Sequence, residues 1–172
     1  MPGSDQTRES FGEFVAAALP ALLRFGHVLT GDPRAAEDLV QEALARTLRR
    51  WRSVRRDNAV AYVRRVMVNT HINRWRRWEA RVQLGAVPDS TADDPALRRS
   101  EDWDLLRRAL SRLPTRQRTV LVLRYFEDLS EAEIAQLMGC QPGTVKSQAA
   151  RALAALRPMV QPEMVSGGRL PC

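Results

Sequence analysis

The stretch Leu113–Arg157, LPTRQRTVLVLRYFEDLSEAEIAQLMGCQPGTVKSQAARALAALR, decides the fold class, because it reads as short helices divided by tight stops. Ser130 and Glu133 have capping-box spacing, in which hydroxyl and carboxylate each take up a backbone N–H left free by the first turn. From Glu131 to Met138 the residues Ile134, Leu137 and Met138 recur at helical period. Gly139 suits the left-handed residue that closes a helix, and Pro142 suits the first turn of the next. That next helix is expected from about Pro142 to Arg157, with Pro158 ending it. Val145, Ala149, Ala152 and Leu156 then face inward, while Thr144, Ser147, Gln148 and Arg151 share the opposite face. Lys146, the single lysine among 27 basic residues, lies beside that outward face. The pattern predicts a helix-turn-helix whose second helix can lie in a DNA groove; an ordinary helical hairpin is the competing reading.

Working outward, the same period predicts helices elsewhere. Trp103, Leu106, Leu110 and Leu113 line one face before Pro114, and Thr115 to Phe126 follows with Val120, Leu121, Leu123 and Tyr125 as core candidates. Nearer the start, Ser10 and Glu13 have the spacing to cap a helix bearing Phe11, Phe14, Val15, Leu19, Leu22 and Leu23, with Pro20 a kink or break. Thr30-Gly31 reads as a turn. Asp32 followed by Pro33 starts a helix that reaches about Trp51, with Leu39, Val40, Ala43, Leu44, Thr47 and Leu48 on one side. Asn58 is the next N-cap candidate, and Ala59 to about Trp78 carries Val63, Val66, Met67 and Thr70 inward. Gly85 to Pro95 has no apolar period and is rich in Gly, Pro, Ser and Asp. The expectation is an all-α chain of two small helical domains, 10–80 and 99–158, joined by a flexible acidic linker over 81–98 and followed by a disordered tail over 159–172.

Charge is concentrated rather than spread. Between Arg46 and Arg81 stand twelve arginines against Asp57 and Glu79, a net +10, and the chain total of +7 leaves −3 for the rest. Such a local excess is the footprint of phosphate binding, although a solvated basic surface has the same composition. Cys140 and Cys172 form no disulfide framework and have no Cys or His at metal-ligand spacing, so neither a metal nor another cofactor is expected and a reducing cytoplasm fits. Cys140 itself reads as a small buried filler. Met1 to Glu9 is too polar for a signal peptide, and the apolar run Val15–Leu23 is too short to span a bilayer. No catalytic triad, paired carboxylates or glycine-rich phosphate loop stands at a workable spacing, which argues against an enzyme.

Three surfaces remain to be explained. Asp38, Gln41 and Glu42 share one face of the second helix, where they form an acid-and-amide surface able to dock a basic partner; a plain solvated face fits the spacing equally well. Arg64, Arg65, Asn69, Asn73, Arg74, Trp75, Arg76, Arg77 and Trp78 combine guanidiniums for phosphate, amides for base edges and rings that stack unpaired bases, with Trp75 an equal candidate for the core. On the recognition helix, Lys146 and Arg151 suit phosphates, while Thr144, Ser147 and Gln148 are short enough or polar enough to approach base edges.

Two motifs carry a family resemblance. Asp32-Pro33-Arg34-Ala35-Ala36-Glu37-Asp38-Leu39-Val40-Gln41-Glu42 is similar to the start of the core-binding region of extracytoplasmic-function sigma factors, in the sigma-70 family. Leu113-Pro114, Arg116-Gln117-Arg118 and Gly143-Thr144-Val145-Lys146-Ser147 resemble region four of the same family, and the match runs in order from about Phe11 to Arg157. The Lys-Ser-Gln run, with Gln148 where arginine is common, is similar to an actinobacterial sigma-E-like subgroup and leaves the base preference open. The resemblance implies a factor that binds RNA polymerase core and promoter DNA to promote transcription initiation. It places Asp38, Gln41 and Glu42 on the clamp helices of β′, Asn69, Asn73, Arg74 and Arg77 at the −10 element, and Lys146, Ser147, Gln148 and Arg151 at the −35 element. It further implies a contact with the β flap, an anti-sigma factor as a candidate partner, and a linker whose Asp89, Asp93 and Asp94 imitate nucleic acid in the polymerase channels. A freestanding helix-turn-helix repressor and a polymerase-binding protein that does not initiate stay open as alternatives.

Overall fold

Asp32 shows how locally this sequence specifies its turns. Its backbone is extended, its carboxylate accepts a 2.7 Å hydrogen bond from the N–H of Ala35, and Pro33 supplies the first helical residue. Gly31, at φ 75°, makes the reversal between the two helices on either side. The computed structural model describes residues 2–82 and 101–160. Among these there is no strand; there are seven α-helices: α1 (Pro2–Thr30), α2 (Pro33–Leu48), α3 (Ala59–Val82), α4 (Glu101–Ser111), α5 (Thr115–Tyr125), α6 (Glu131–Met138) and α7 (Pro142–Val160). The chain divides between residues 93 and 94 into two compact units, α1–α3 and α4–α7.

In the first unit the three helices pack pairwise around Leu22, Phe25, Val28, Leu29, Leu39, Val40, Val63 and Met67, all withdrawn from solvent. Each such side chain contributes about 1.5–3 kcal/mol of burial, which is what holds three isolated helices together. Gly26 lets α1 and α2 touch closely, since an added Cβ would lie 3.2 Å from that of the fully buried Ala36. Helix α1 is long and apolar enough to cross a membrane, but its apolar residues Leu22, Phe25, Val28 and Leu29 are core residues of this bundle.

Several expectations change here. Helix α1 begins well before Ser10, so Ser10 caps nothing; its hydroxyl instead accepts a 2.9 Å hydrogen bond from the indole N–H of Trp51. Pro20 does not break α1, because it sits on the exposed side, where water can serve the carbonyl its missing N–H leaves unpaired. Helix α2 stops at Leu48, and Trp51–Ser53 and Arg56–Asn58 form 3₁₀ turns before α3, so Asn58 ends a turn rather than standing as an extended N-cap. Leu48 is 40% exposed rather than inward, and Val68 and Ile72 join Val63 and Met67 in the core.

The second unit buries Leu110, Leu113, Val120, Leu123, Ile134, Val145, Ala149 and Ala152. The capping box at Ser130 and Glu133 is formed in both directions. Gly139 is left-handed at φ 62°, and the N–H groups of Cys140 and Gly139 return to the carbonyls of Ala135 and Gln136, which fixes the turn into α7. Cys140 is half-buried. Tyr125, expected in the core, is 56% exposed, and the following Asp128 takes a left-handed φ of 51° in the turn to α6. Helix α7 passes through the exposed Pro158 to Val160 instead of ending there. Residues 81 and 82 belong to α3; the rest of the expected linker over 81–98, and the tail beyond 160, lie outside the described residues.

Arg118 is the unforeseen member of this core. It is 6% exposed, and its guanidinium donates to the carbonyls of Leu113 at 3.0 Å and Ser111 at 3.4 Å. These carbonyls end α4 and have no helical partner, so a cation there also opposes the negative end of the helix dipole. Burial pushes the Arg118 pKa down to about 10, which still leaves it charged at neutral pH.

Candidate nucleic-acid interface

The basic segment folds into one corner of the first unit, at the end of α2, the ten residues after it, and α3. Three of the shallow grooves there adjoin one another. Arg46, Arg49, Arg50, Tyr62, Val66 and Asn69 line one; Ser53, Val54, Arg55, Asn58, Ala61, Tyr62 and Arg65 line a second; Glu42, Arg46, Arg74, Arg77, Trp78 and Arg81 line a third. Tyr62 borders the first two and Arg46 the first and third, so the three make one guanidinium-rich surface across α2 and α3. Guanidiniums, amides and two accessible rings on a single surface can hold phosphates and stack unpaired bases.

Most of the arginines and asparagines singled out on α3 reach this surface. Arg65, Asn69, Asn73, Arg74 and Arg77 are exposed, with Arg77 Nε donating to the Asn73 carbonyl at 3.2 Å. Arg64 differs, since its guanidinium lies 5.0 Å from the centre of the Phe25 ring and the residue packs toward α1. The two tryptophans separate: Trp75 is 7% exposed and belongs to the core, whereas Trp78 is 42% exposed beside Arg74 and Arg77.

Arg46, Arg49, Arg50, Asn58 and Tyr62 were not singled out as site residues. The signal was present: Asn58, Tyr62 and Arg65 stand at helical spacing, and an amide, a ring and a guanidinium in that register make one face. For Arg46, Arg49 and Arg50 the sequence carries only the charge excess of the segment they belong to.

On α2, Asp38 and Gln41 are exposed and Glu42 is half-buried. Glu42 accepts hydrogen bonds from Arg46 at 2.5 Å and from Arg74 of α3, so the acid-and-amide face and the basic face meet in this carboxylate. Burial works against ionisation of Glu42, but the hydrogen bonds and charges of Arg74 and Arg46 outweigh it and hold its pKa below the ordinary carboxylate value.

In the second unit, Lys146, Ser147 and Arg151 are exposed on α7, and Thr144 and Gln148 are half-buried beside them. The Ser147 hydroxyl donates to the Thr144 carbonyl at 2.9 Å, keeping that side chain against its own helix. Val145, Ala149 and Ala152 hold the opposite face of α7 in the core. Helix α6 crosses before it and is tied to α5 by a 3.0 Å ion pair between Arg124 and Glu131.

Both helical units match known proteins. Residues 14–81 match the model of Sigma-70 region 2 and residues 103–156 that of Sigma-70, region 4. The chain is 44% identical over 149 residues to the RNA polymerase sigma-E factor of Streptomyces coelicolor, covering 86% of this chain and 84% of that protein. It is 32% identical over 155 residues to the ECF RNA polymerase sigma factor EcfG of Rhodopseudomonas palustris, covering 88% and 83%. Among solved structures, the sigma factor RpoE from Bartonella quintana, crystallised with the anti-sigma factor NepR, superposes with a TM-score of 0.62 at 28% identity over 90% of this chain and 99% of that one. A helical pair of this kind, one unit basic and one a helix-turn-helix, defines a sigma-70-type initiation factor. The chain belongs to the extracytoplasmic-function sigma factors of RNA polymerase.

Proposed function

We propose that each surface carries one step of promoter-directed initiation. Asp38 and Gln41, with the outer edge of Glu42, dock on the clamp helices of β′ in polymerase core. The guanidinium-rich surface of Arg65, Asn69, Asn73, Arg74, Arg77 and Trp78 takes the opened −10 element. Thr144, Lys146, Ser147, Gln148 and Arg151 on α7 take the −35 element, with the second unit resting on the β flap. In this reading 10–80 and 99–158 are the two working domains. Arg64 keeps a packing role on α1 and is set aside from the DNA set.

The observation that carries the reading is the placement of an exposed ring, amides and solvent-facing guanidiniums along α3, of which Arg74 is paired with Glu42 of the adjoining acidic α2 face. Unstacking a base costs a few kcal/mol, and ring stacking together with phosphate contacts can offset it. A protein that binds only closed duplex has no use for Trp78 there. The factor itself makes and breaks no covalent bond, and it works in the cytoplasm with polymerase; an anti-sigma factor is a candidate partner. The docking role is tested by titrating polymerase core with Gln41→Ala. Affinity should fall about tenfold, as for loss of one well-packed contact worth about 1.4 kcal/mol, while helicity is kept. Unchanged affinity would remove α2 from the core interface.

A further inference from the structure

The ten residues between α2 and α3 have one buried side chain, Trp51; every other position from 49 to 58 is exposed or half-buried. The turn that supplies Ser53, Val54, Arg55 and Asn58 to the second groove therefore has a single buried anchor. That anchor is held by the start of α1. The Trp51 ring packs edge-on against Phe11 with centroids 5.1 Å apart, and against Phe14 at 4.9 Å. Its indole N–H, which can only donate, finds the Ser10 hydroxyl at 2.9 Å, and that hydroxyl in turn donates to the Thr7 carbonyl at 3.2 Å. Next to it, Arg52 Nε donates to the Thr7 hydroxyl at 3.3 Å. Thr7, Ser10 and Phe11 all precede residue 14, where the match to region 2 begins. Core packing of the three-helix bundle lies farther along α1, at Leu22, Phe25, Val28 and Leu29.

We infer that residues 7–14, in the N-terminal half of α1, are a positioning element for promoter reading: through Ser10 and Phe11 they lock Trp51, and Trp51 fixes the 51–58 turn against Tyr62 and Arg65 of α3. The inference rests on the −10 role of the α3 surface and adds to it the residues that set the groove's shape. Ser10 touches no DNA in this account. It acts through Trp51, so its loss loosens one wall of the groove while the bundle and α7 keep their form.

The test uses reconstituted holoenzyme and a promoter library randomised separately at the −10 and −35 elements. Ser10→Ala leaves the buried indole N–H without its acceptor; about 1 kcal/mol of lost positioning corresponds to about a fivefold loss of base discrimination in the −10 element. Discrimination in the −35 element and affinity for core are expected to stay within twofold, and Ser10→Thr, which keeps a hydroxyl, is expected to restore the −10 profile. Hydrogen exchange of the core segments of α1–α3 should be unchanged. A −10 profile that survives Ser10→Ala would overturn this inference alone. So would a loss shared equally by both elements, or a Ser10→Thr chain no better than Ser10→Ala, since either marks a merely structural serine. Unaltered holoenzyme with no base preference in the −10 element would overturn the α3 reading, and this inference with it.

Discussion

Replacing Arg118 with alanine isolates the contribution of a buried cation to the helix-turn-helix unit. The guanidinium now satisfies the Leu113 carbonyl and reaches that of Ser111. A hydrogen bond from a charged donor is worth about 1.5–3 kcal/mol, and a buried carbonyl left alone costs about 1–3 kcal/mol. The buried methylene stem adds about 0.8 kcal/mol for each CH₂ removed. Against these stands the cost of keeping the charge buried, which lowers the Arg118 pKa to about 10 and corresponds to about 3 kcal/mol. The losses win, and Arg118→Ala is expected to destabilise α4–α7 by about 2–4 kcal/mol. Thermal melting of the whole chain would mix the two units, so the assay is amide hydrogen exchange resolved by segment. Protection should fall in Thr115–Tyr125 and Glu131–Met138 and stay unchanged in Pro33–Leu48. Arg118→Lys should recover part of the loss, because an ammonium keeps the charge but lacks the fork that reaches two carbonyls. Full protection of α5 and α6 in Arg118→Ala would refute the reasoning, because it would mean the α4 carbonyls need no partner.

Three other outcomes are expected in the first unit. Trp75→Ala should destabilise it by about 3–5 kcal/mol, whereas Trp78→Ala should leave stability within about 0.5 kcal/mol and weaken holoenzyme binding to single-stranded −10 DNA by about 1–3 kcal/mol; melting and fork-junction binding measure the two. Thr70 is 1% exposed and its hydroxyl has no hydrogen-bond partner, so Thr70→Val, nearly the same shape, should raise stability by about 1 kcal/mol in urea unfolding. Glu42 has its pKa lowered by Arg74 and Arg46, so its stabilising effect is full above the unfolded value of 4.5 and disappears as pH falls through the folded one. The stability gap between the native chain and Glu42→Gln should be under about 1 kcal/mol at pH 7, because the pair is partly exposed, and should close in acid.

The fold was legible wherever a local rule acts alone. Asp32-Pro33, the Ser130–Glu133 box and Gly139 each fix a helix end through atoms within a few residues, and each end forms as the sequence implies. Proline was the less dependable guide. Pro20 and Pro158 lie on exposed sides of α1 and α7, where the lost backbone bond costs little, and both helices run through them. Residues whose partners are distant in sequence could not be read. Ser10 looked like a cap because Glu13 follows it, yet its partner is Trp51, forty-one positions on. Arg118 has near partners, the carbonyls five and seven positions back, but its helical period does not show that its charge turns inward to close the end of α4. On the candidate surface, helical spacing placed Asn69, Asn73 and Arg77 on the exposed side. It could not tell Trp75 from Trp78, which needed the neighbouring helices, or show that Glu42 is shared with Arg74.

Transcription by purified polymerase core on a linear template, with and without the full chain, bears most directly on the central claim. The account predicts new transcripts from a defined start that require core, chain and both promoter elements together. The chain alone should show no comparable affinity for the same duplex. Tight promoter binding without core, or core that stays silent although the chain is bound to it, would contradict the account.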